Sequence, residues 1–181
     1  MKGFGTKNNF KESNKNNNFF ENDRLINNAF KLHSKGKISE AKSSYQDLIK
    51  NGISDPRVYT NLGVIFQSEN DYERSIKLYK KSIILFPESH EAYSNLSRIL
   101  LETGQYDLAE NYLIKVIKLK PDFLMAYQNL FNVYCRNNNR KKAENVLYNW
   151  LKIAPNNHLV LSNLGRFLLE KGNFDEAKKY I

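Results

Sequence analysis

The chain has 181 residues, a formal net charge of +9, 41% hydrophobic residues and one cysteine. No stretch approaches the run of about 18 apolar residues that spans a bilayer, and no early segment joins a basic start to an apolar run. A membrane partner and a secretory signal are therefore not expected, the predicted location is cytoplasmic, and the lone Cys135 excludes an internal disulfide. The positive charge raises nucleic acid as a partner. However, the lysines interleave with acidic residues, as Lys77, Lys80 and Lys81 do near Glu73, whereas phosphate binding needs a contiguous basic stripe. No nucleic-acid partner is expected.

Residues 1–21 (MKGFGTKNNFKESNKNNNFFE) are rich in Asn and Lys without helical period, and composition predicts a disordered tail. Within it, Phe19 and Phe20 are candidates to fold back on the neighbouring residues 22–55. Lys2-Gly3-Phe4-Gly5 reads as a short docking tag or, more plainly, as unstructured leader. From there on asparagine recurs every 34 residues, at Asn27, Asn61, Asn95, Asn129 and Asn163, and the flanking residues keep step with it. Residues 22–55 are a degenerate first copy, 56–89, 90–123 and 124–157 are full copies, and 158–181 is a truncated fifth. Such a period marks helix–turn–helix units that stack on one another.

Counting each copy from its first residue, the second has Tyr59, Leu62, Gly63 and Phe66 at positions 4, 7, 8 and 11, one face of a helix. Position 15 is Gly36, Asn70, Gly104, Asn138 and Gly172, the two residue types that readily take the left-handed conformation ending a helix. A second helix follows, with a small residue at position 20 in all five copies: Ala41, Ser75, Ala109, Ala143 and Ala177. Position 32 is Pro87, Pro121 or Pro155 in three copies and stops that helix. Asp55 and Ser89 read as N-caps of the next first helix, with Pro56 preset for its opening turn.

Segments such as VYTNLGVIFQSENDYERSIKLYKKSIILFPE and AYSNLSRILLETGQYDLAENYLIKVIKLKPD resemble the tetratricopeptide repeat (TPR) over residues 22–181. The resemblance implies an all-α fold, a TPR-type α-solenoid in which antiparallel helix pairs form a right-handed superhelix. Departures are Phe131 at position 8, Trp150 and Leu48 at 27, and Ile53 at 32, which bear on helix spacing in the first and fourth copies.

On a helical wheel the core face of the first helix centres near 30°, so positions 2, 6, 9 and 13, at about 200°, 240°, 180° and 220°, lie opposite it. The resemblance makes that side the concave face of a solenoid. Stacked helices repeat every 8–10 Å or so, and an extended peptide advances about 3.3 Å per residue, so one amide per repeat meets about every third peptide residue. An amide both donates and accepts, and can therefore bond a peptide backbone without reading its side chains. Asn61, Asn95, Asn129 and Asn163 are the candidate peptide contacts, similar to the asparagine ladder of protein O-GlcNAc transferases, with Asn27 the weakest of the row. The other reading is that they bond only neighbouring helix backbone or water.

Arg98, Asn132 and Arg166, at position 9, join the candidate groove beside Val64. The arginines at 98, 136 and 166 either favour a carboxylate-bearing partner or pair with Glu102 and Glu170 on the helix face. The clamp by which some TPR domains hold a chaperone's C-terminal carboxylate needs Lys at position 5. Ile26, Thr60, Ser94, Gln128 and Ser162 stand there, so that clamp is absent.

His33, His90 and His158 are far apart and read as solvated, with no metal-ligand spacing among them. Cys135 reads as a half-buried structural thiol, and Tyr59, Tyr93, Tyr127 and Trp150 as packing. No catalytic, metal or cofactor site is expected. The predicted function is a non-enzymatic scaffold that binds a protein or peptide partner. The alternative is the substrate-recruiting part of a longer glycosyltransferase- or sulfotransferase-like enzyme. Ile181 falls inside the fifth copy's second helix without a polar cap, so the expectation is either that the chain is the front of a longer protein or that this open end pairs with something, self-association included.

Overall fold

Each apolar stripe becomes a helix and each stop a turn. The structure, a computed structural model, describes residues 6–181, and among them are ten helices and no strand. They are α1 (Thr6–Ser34), α2 (Ile38–Lys50), α3 (Pro56–Ser68), α4 (Tyr72–Leu85), α5 (His90–Glu102), α6 (Tyr106–Leu119), α7 (Leu124–Arg136), α8 (Arg140–Ile153), α9 (His158–Glu170) and α10 (Phe174–Ala177). First helices begin at Pro56, His90, Leu124 and His158, each 34 residues after the one before.

Helix α1 starts at Thr6, inside the stretch for which composition predicts a disordered tail. Polar residues can take helical backbone without the apolar stripe that announces a helix, since Asn, Lys and Glu cost at most about 0.7 kcal/mol each relative to Ala. Among its described side chains Ile26 and Ala29 are buried, and Phe20 is 70% exposed. The stretch Lys2-Gly3-Phe4-Gly5 and the Phe19 side chain lie outside the described residues.

The turns fall where a left-handed residue is expected. Gly36, Asn70, Gly104, Asn138 and Gly172 have φ of 74°, 60°, 76°, 53° and 81°. The residue after each closes the helix end with a long-range backbone bond, such as Asp71 N–H to Phe66 O at 2.8 Å and Gln105 N–H to Leu100 O at 2.8 Å. Where the first copy lacks the stopping proline, Gly52 (φ 78°) ends α2 instead, and Ile53 N–H bonds Leu48 O at 2.9 Å. Of the two expected caps, Asp55 accepts from Arg57 N–H at 2.8 Å. Ser89 holds the cap position but turns its hydroxyl to Glu91 instead. Asn157, not anticipated, caps α9 by accepting from Leu159 and Val160 N–H.

Contacts divide the chain into two units, Met1–Lys81 and Ser82–Ile181. In the first, α1 packs on α2 and α3, and α2 packs on α3, around Ile26, Ala29, Ala41, Tyr45, Leu48, Val58, Leu62, Ile65 and Phe66. In the second, α5, α6, α7, α8, α9 and α10 each pack on the next, and α5 also meets α7. Leu96, Ile99, Leu113, Val116, Leu147, Trp150, Leu164 and Leu168 are fully buried there.

Pairing of the two helices in a repeat rests on positions 8, 20 and 24. All five residues at position 20 have no exposed surface. The Ser75 hydroxyl donates to Gly63 O at 2.8 Å, a contact possible only because the helices almost touch. A Cβ on Gly63 would meet the Tyr79 ring at 2.5 Å, and in the first copy Ala29 and Tyr45, at the same two positions, are both fully buried in one cluster. Phe131 breaks the small-residue rule at position 8 and is accommodated differently, its ring lying edge-on to Phe167 of the next repeat at 6.3 Å.

Neighbouring repeats also share a charge register. Lys42 donates to Glu69, and Lys171 to Glu144 at 2.8 Å, the same two repeat positions with the signs exchanged. Half-exposed pairs of this kind contribute about 0–1 kcal/mol each.

The two buried tyrosines at position 24 differ in one respect. Tyr79 donates to Gln67 Oε1 at 3.1 Å, whereas the Tyr45 hydroxyl is buried without a partner among the described residues. His33 occupies the position of Gln67 there and meets the Tyr45 ring edge-on at 6.2 Å. Burial pushes the Tyr45 phenol up to about 12. Its ionisation therefore favours the unfolded chain from about pH 10, where a free phenol titrates, up to that folded value. Thermal unfolding followed by circular dichroism should show Tyr79→Phe costing about 1 kcal/mol at pH 7 and Tyr45→Phe costing nothing or stabilising. Tyr45→Phe should also lose less stability than the native chain between about pH 10 and 12.

Candidate peptide-binding face

Exposure along the first helices of both units follows the wheel. Positions 2 (Arg57, Glu91, Met125, Leu159) and 13 (Ser68, Glu102, Arg136, Glu170) are exposed in every copy from the second on. Position 9 is exposed at Arg98 and Arg166 and half-buried at Val64 and Asn132. The position-6 asparagines stand at the margin of the core. Asn61, Asn95 and Asn163 are half-buried, and Asn129 retains 9% of its surface. Asn27 is exposed and donates to Asp23 Oδ2 at 3.0 Å.

Among the described residues, the amides of Asn61, Asn95 and Asn129 hydrogen-bond no other protein group. Asn163 accepts from Arg166 Nη2 at 2.9 Å and keeps its own donor. The reading that these residues serve neighbouring helix backbone thus finds no bond of that kind. Asn61 stands on α3 in the first unit. The other six candidates (Asn95, Arg98, Asn129, Asn132, Asn163 and Arg166) stand on α5, α7 and α9 of the second.

Three of the six meet in one depression of about 350 Å³ between α7, α8 and α9. Asn132, Asn163 and Arg166 line it, together with Cys135, Arg140 and Glu170. The two phenylalanines of the Phe131–Phe167 contact form part of its wall. Arg166 does not pair with Glu170, as one reading of the helix face had it. Glu170 lies 3.8 Å from Arg140 instead. Arg140 comes from the start of α8, a second helix, and so has no place on the wheel of the first helices.

Cys135, expected half-buried, is exposed and opens onto this depression. The protein packed around the rest of the thiol desolvates it and pushes it up, and Glu170 adds to the rise, while Arg166 and Arg140 oppose it. A thiol held in the protonated form is a poor nucleophile. The histidines depart from the solvated expectation in two of three cases. His90 keeps 16% of its side-chain surface and lies edge-on to Phe123 at 5.0 Å, and His33 packs on Tyr45, while His158 is exposed. Tyr59, Tyr93 and Tyr127 are buried, as packing requires. Among the described residues no three His, Cys, Asp or Glu side chains converge as metal ligands, and no helix is long and apolar enough to cross a membrane.

Family models of the tetratricopeptide repeat match residues 66–130 and 160–181, and these stretches carry such repeats. No curated protein matches the chain in sequence. Among solved structures, MamA of Desulfovibrio magneticus RS-1 is similar with a TM-score of 0.74 at 21% identity, over 88% of this chain and 90% of that one. Another MamA crystal structure gives 0.73 at 25% identity over 84% and 89%. The pilF protein of Pseudomonas aeruginosa gives 0.79 at 19% identity over 88% and 72%. With the ten helices, these likenesses establish the fold class as all-α, a TPR-type α-solenoid.

The thiol should report the charge around it. Alkylation of Cys135 by iodoacetamide, followed against pH, should show a midpoint above that of a free cysteine, and Arg166→Gln or Arg140→Gln should move it higher still. A midpoint at or below the free-thiol value would contradict the described surroundings.

Proposed function

We propose that the chain is a non-catalytic interaction scaffold that holds an extended segment of a partner protein on its first helices. In the second unit the amides of Asn95, Asn129 and Asn163 bond the backbone of that segment, and Arg98, Asn132 and Arg166 flank it. Asn61 offers the same group on α3. The observation that carries this reading is the state of the amides. They recur once per repeat at the margin of the core, they retain some surface, and at Asn95 and Asn129 no described protein group uses them. A core-margin asparagine that served only packing would be expected to spend its donors and acceptors internally. The spacing resembles the asparagine ladder of O-GlcNAc transferase arrays, which accords with backbone rather than side-chain recognition.

The test is a peptide array of extended sequences probed with the native protein and with an Asn95→Ala, Asn129→Ala, Asn163→Ala variant. Helicity and melting temperature should stay close to native, because none of the three amides holds the fold together. Capture should weaken about 10- to 100-fold across unrelated peptides, as the loss of several bonds of about 0.5–1.5 kcal/mol each implies. Unchanged capture by a folded variant would remove the ladder from the account.

A further inference from the structure

We infer that the depression between α7, α8 and α9 binds a carboxylate group of the segment held on this face. This rests on the peptide reading above and names the chemistry of one of its contacts. The charges carry it. Two guanidinium groups, of Arg140 and Arg166, line the depression against one carboxylate, Glu170. Arg136, exposed one helical turn beyond Asn132 and unpaired among the described residues, adds a third on the same face of α7.

The pairing of these groups is incomplete. Glu170 reaches only Arg140, at 3.8 Å, longer than a direct charge-assisted hydrogen bond. Among the described residues, the one partner of Arg166 is a neutral amide oxygen, that of Asn163. A guanidinium presents a planar fork of donors that fits the two oxygens of a carboxylate, and it loses little by exchanging an amide for a charged acceptor. Around it, Asn132, Asn138 and the free donor of Asn163 supply neutral N–H groups to the same space. Glu170 is then a resident competitor: it disfavours a second anion and is displaced toward solvent when one enters. A cationic guest is less suited, because one carboxylate already shared with Arg140 faces two or three positive groups.

Cys135, the sole cysteine of the chain, opens onto this space and makes it measurable. Its rate of reaction with dithiobis(nitrobenzoate), a carboxylate-bearing disulfide, is compared with that of neutral dithiodipyridine, so that changes in thiol basicity cancel in the ratio. Removing a positive charge by Arg140→Gln or Arg166→Gln should lower that ratio about fivefold, removing the negative one by Glu170→Gln should raise it by a similar factor, and salt should flatten all three. In a second arm, binding is measured for an end-blocked neutral peptide taken from the array, for its single-glutamate variant, and for the neutral peptide with a free C-terminus. Tighter binding of either carboxylate peptide on the native protein, lost in Arg166→Gln, supports the assignment and says which source the pocket uses. Equal binding of all three overturns it while leaving the ladder intact. If no peptide binds, the groove reading fails, and a charge-insensitive reagent ratio would overturn the pocket as well.

Discussion

Within each repeat the paired helices bury one small side chain, a methyl or a hydroxymethyl group, completely. Ala41, Ser75, Ala109, Ala143 and Ala177 lose all exposed surface, and in the second copy the Ser75 hydroxyl reaches the Gly63 carbonyl of the facing helix. Protein interiors are packed like crystals, so such a contact fixes the axial and rotational setting of both helices at once. The turn at position 15 cooperates, since a left-handed residue reverses the chain within a few residues and delivers the small side chain to its place.

The candidate binding face is a consequence of that setting. With positions 4, 7, 8 and 11 committed to the core, the side of each first helix that carries positions 2, 6, 9 and 13 is left for solvent or a partner. Asparagine at the core margin is then held by a rigid helix while its amide stays open, which is the preorganisation that backbone recognition requires. The depression on α7 and α9 arises where this register meets an exception. Phe131, too large for position 8, leans on Phe167 and helps to wall a space that Arg140 and Arg166 enter.

Much of this was legible in the residues because a 34-residue period repeats the same physical choices. Glycine or asparagine at every position 15 announced the turns, and Ala or Ser at every position 20 the close pairs. What escaped was whatever did not repeat. A polar helix such as the start of α1 has no apolar stripe to show itself. Gly52 stops α2 where its siblings use proline, and Ser89 occupies a cap without capping. The wheel sets the asparagines opposite the core, whereas Asn61, Asn95 and Asn163 stand half-buried at its margin and Asn129 is buried. The meeting of Arg140 with Arg166 and Cys135 depends on α8 lying beside α9, which the wheel of a single helix does not contain.

The pairing constraint is tested most directly at Ala109, in the middle of the second unit. Ala109→Leu, compared by urea denaturation with the same change at the exposed neighbour Asn111, should cost about 1–3 kcal/mol while Asn111→Leu leaves stability nearly unchanged. If Ala109→Leu unfolds at the native urea concentration, the helices are not held at that contact, and the setting from which the binding face follows is wrong.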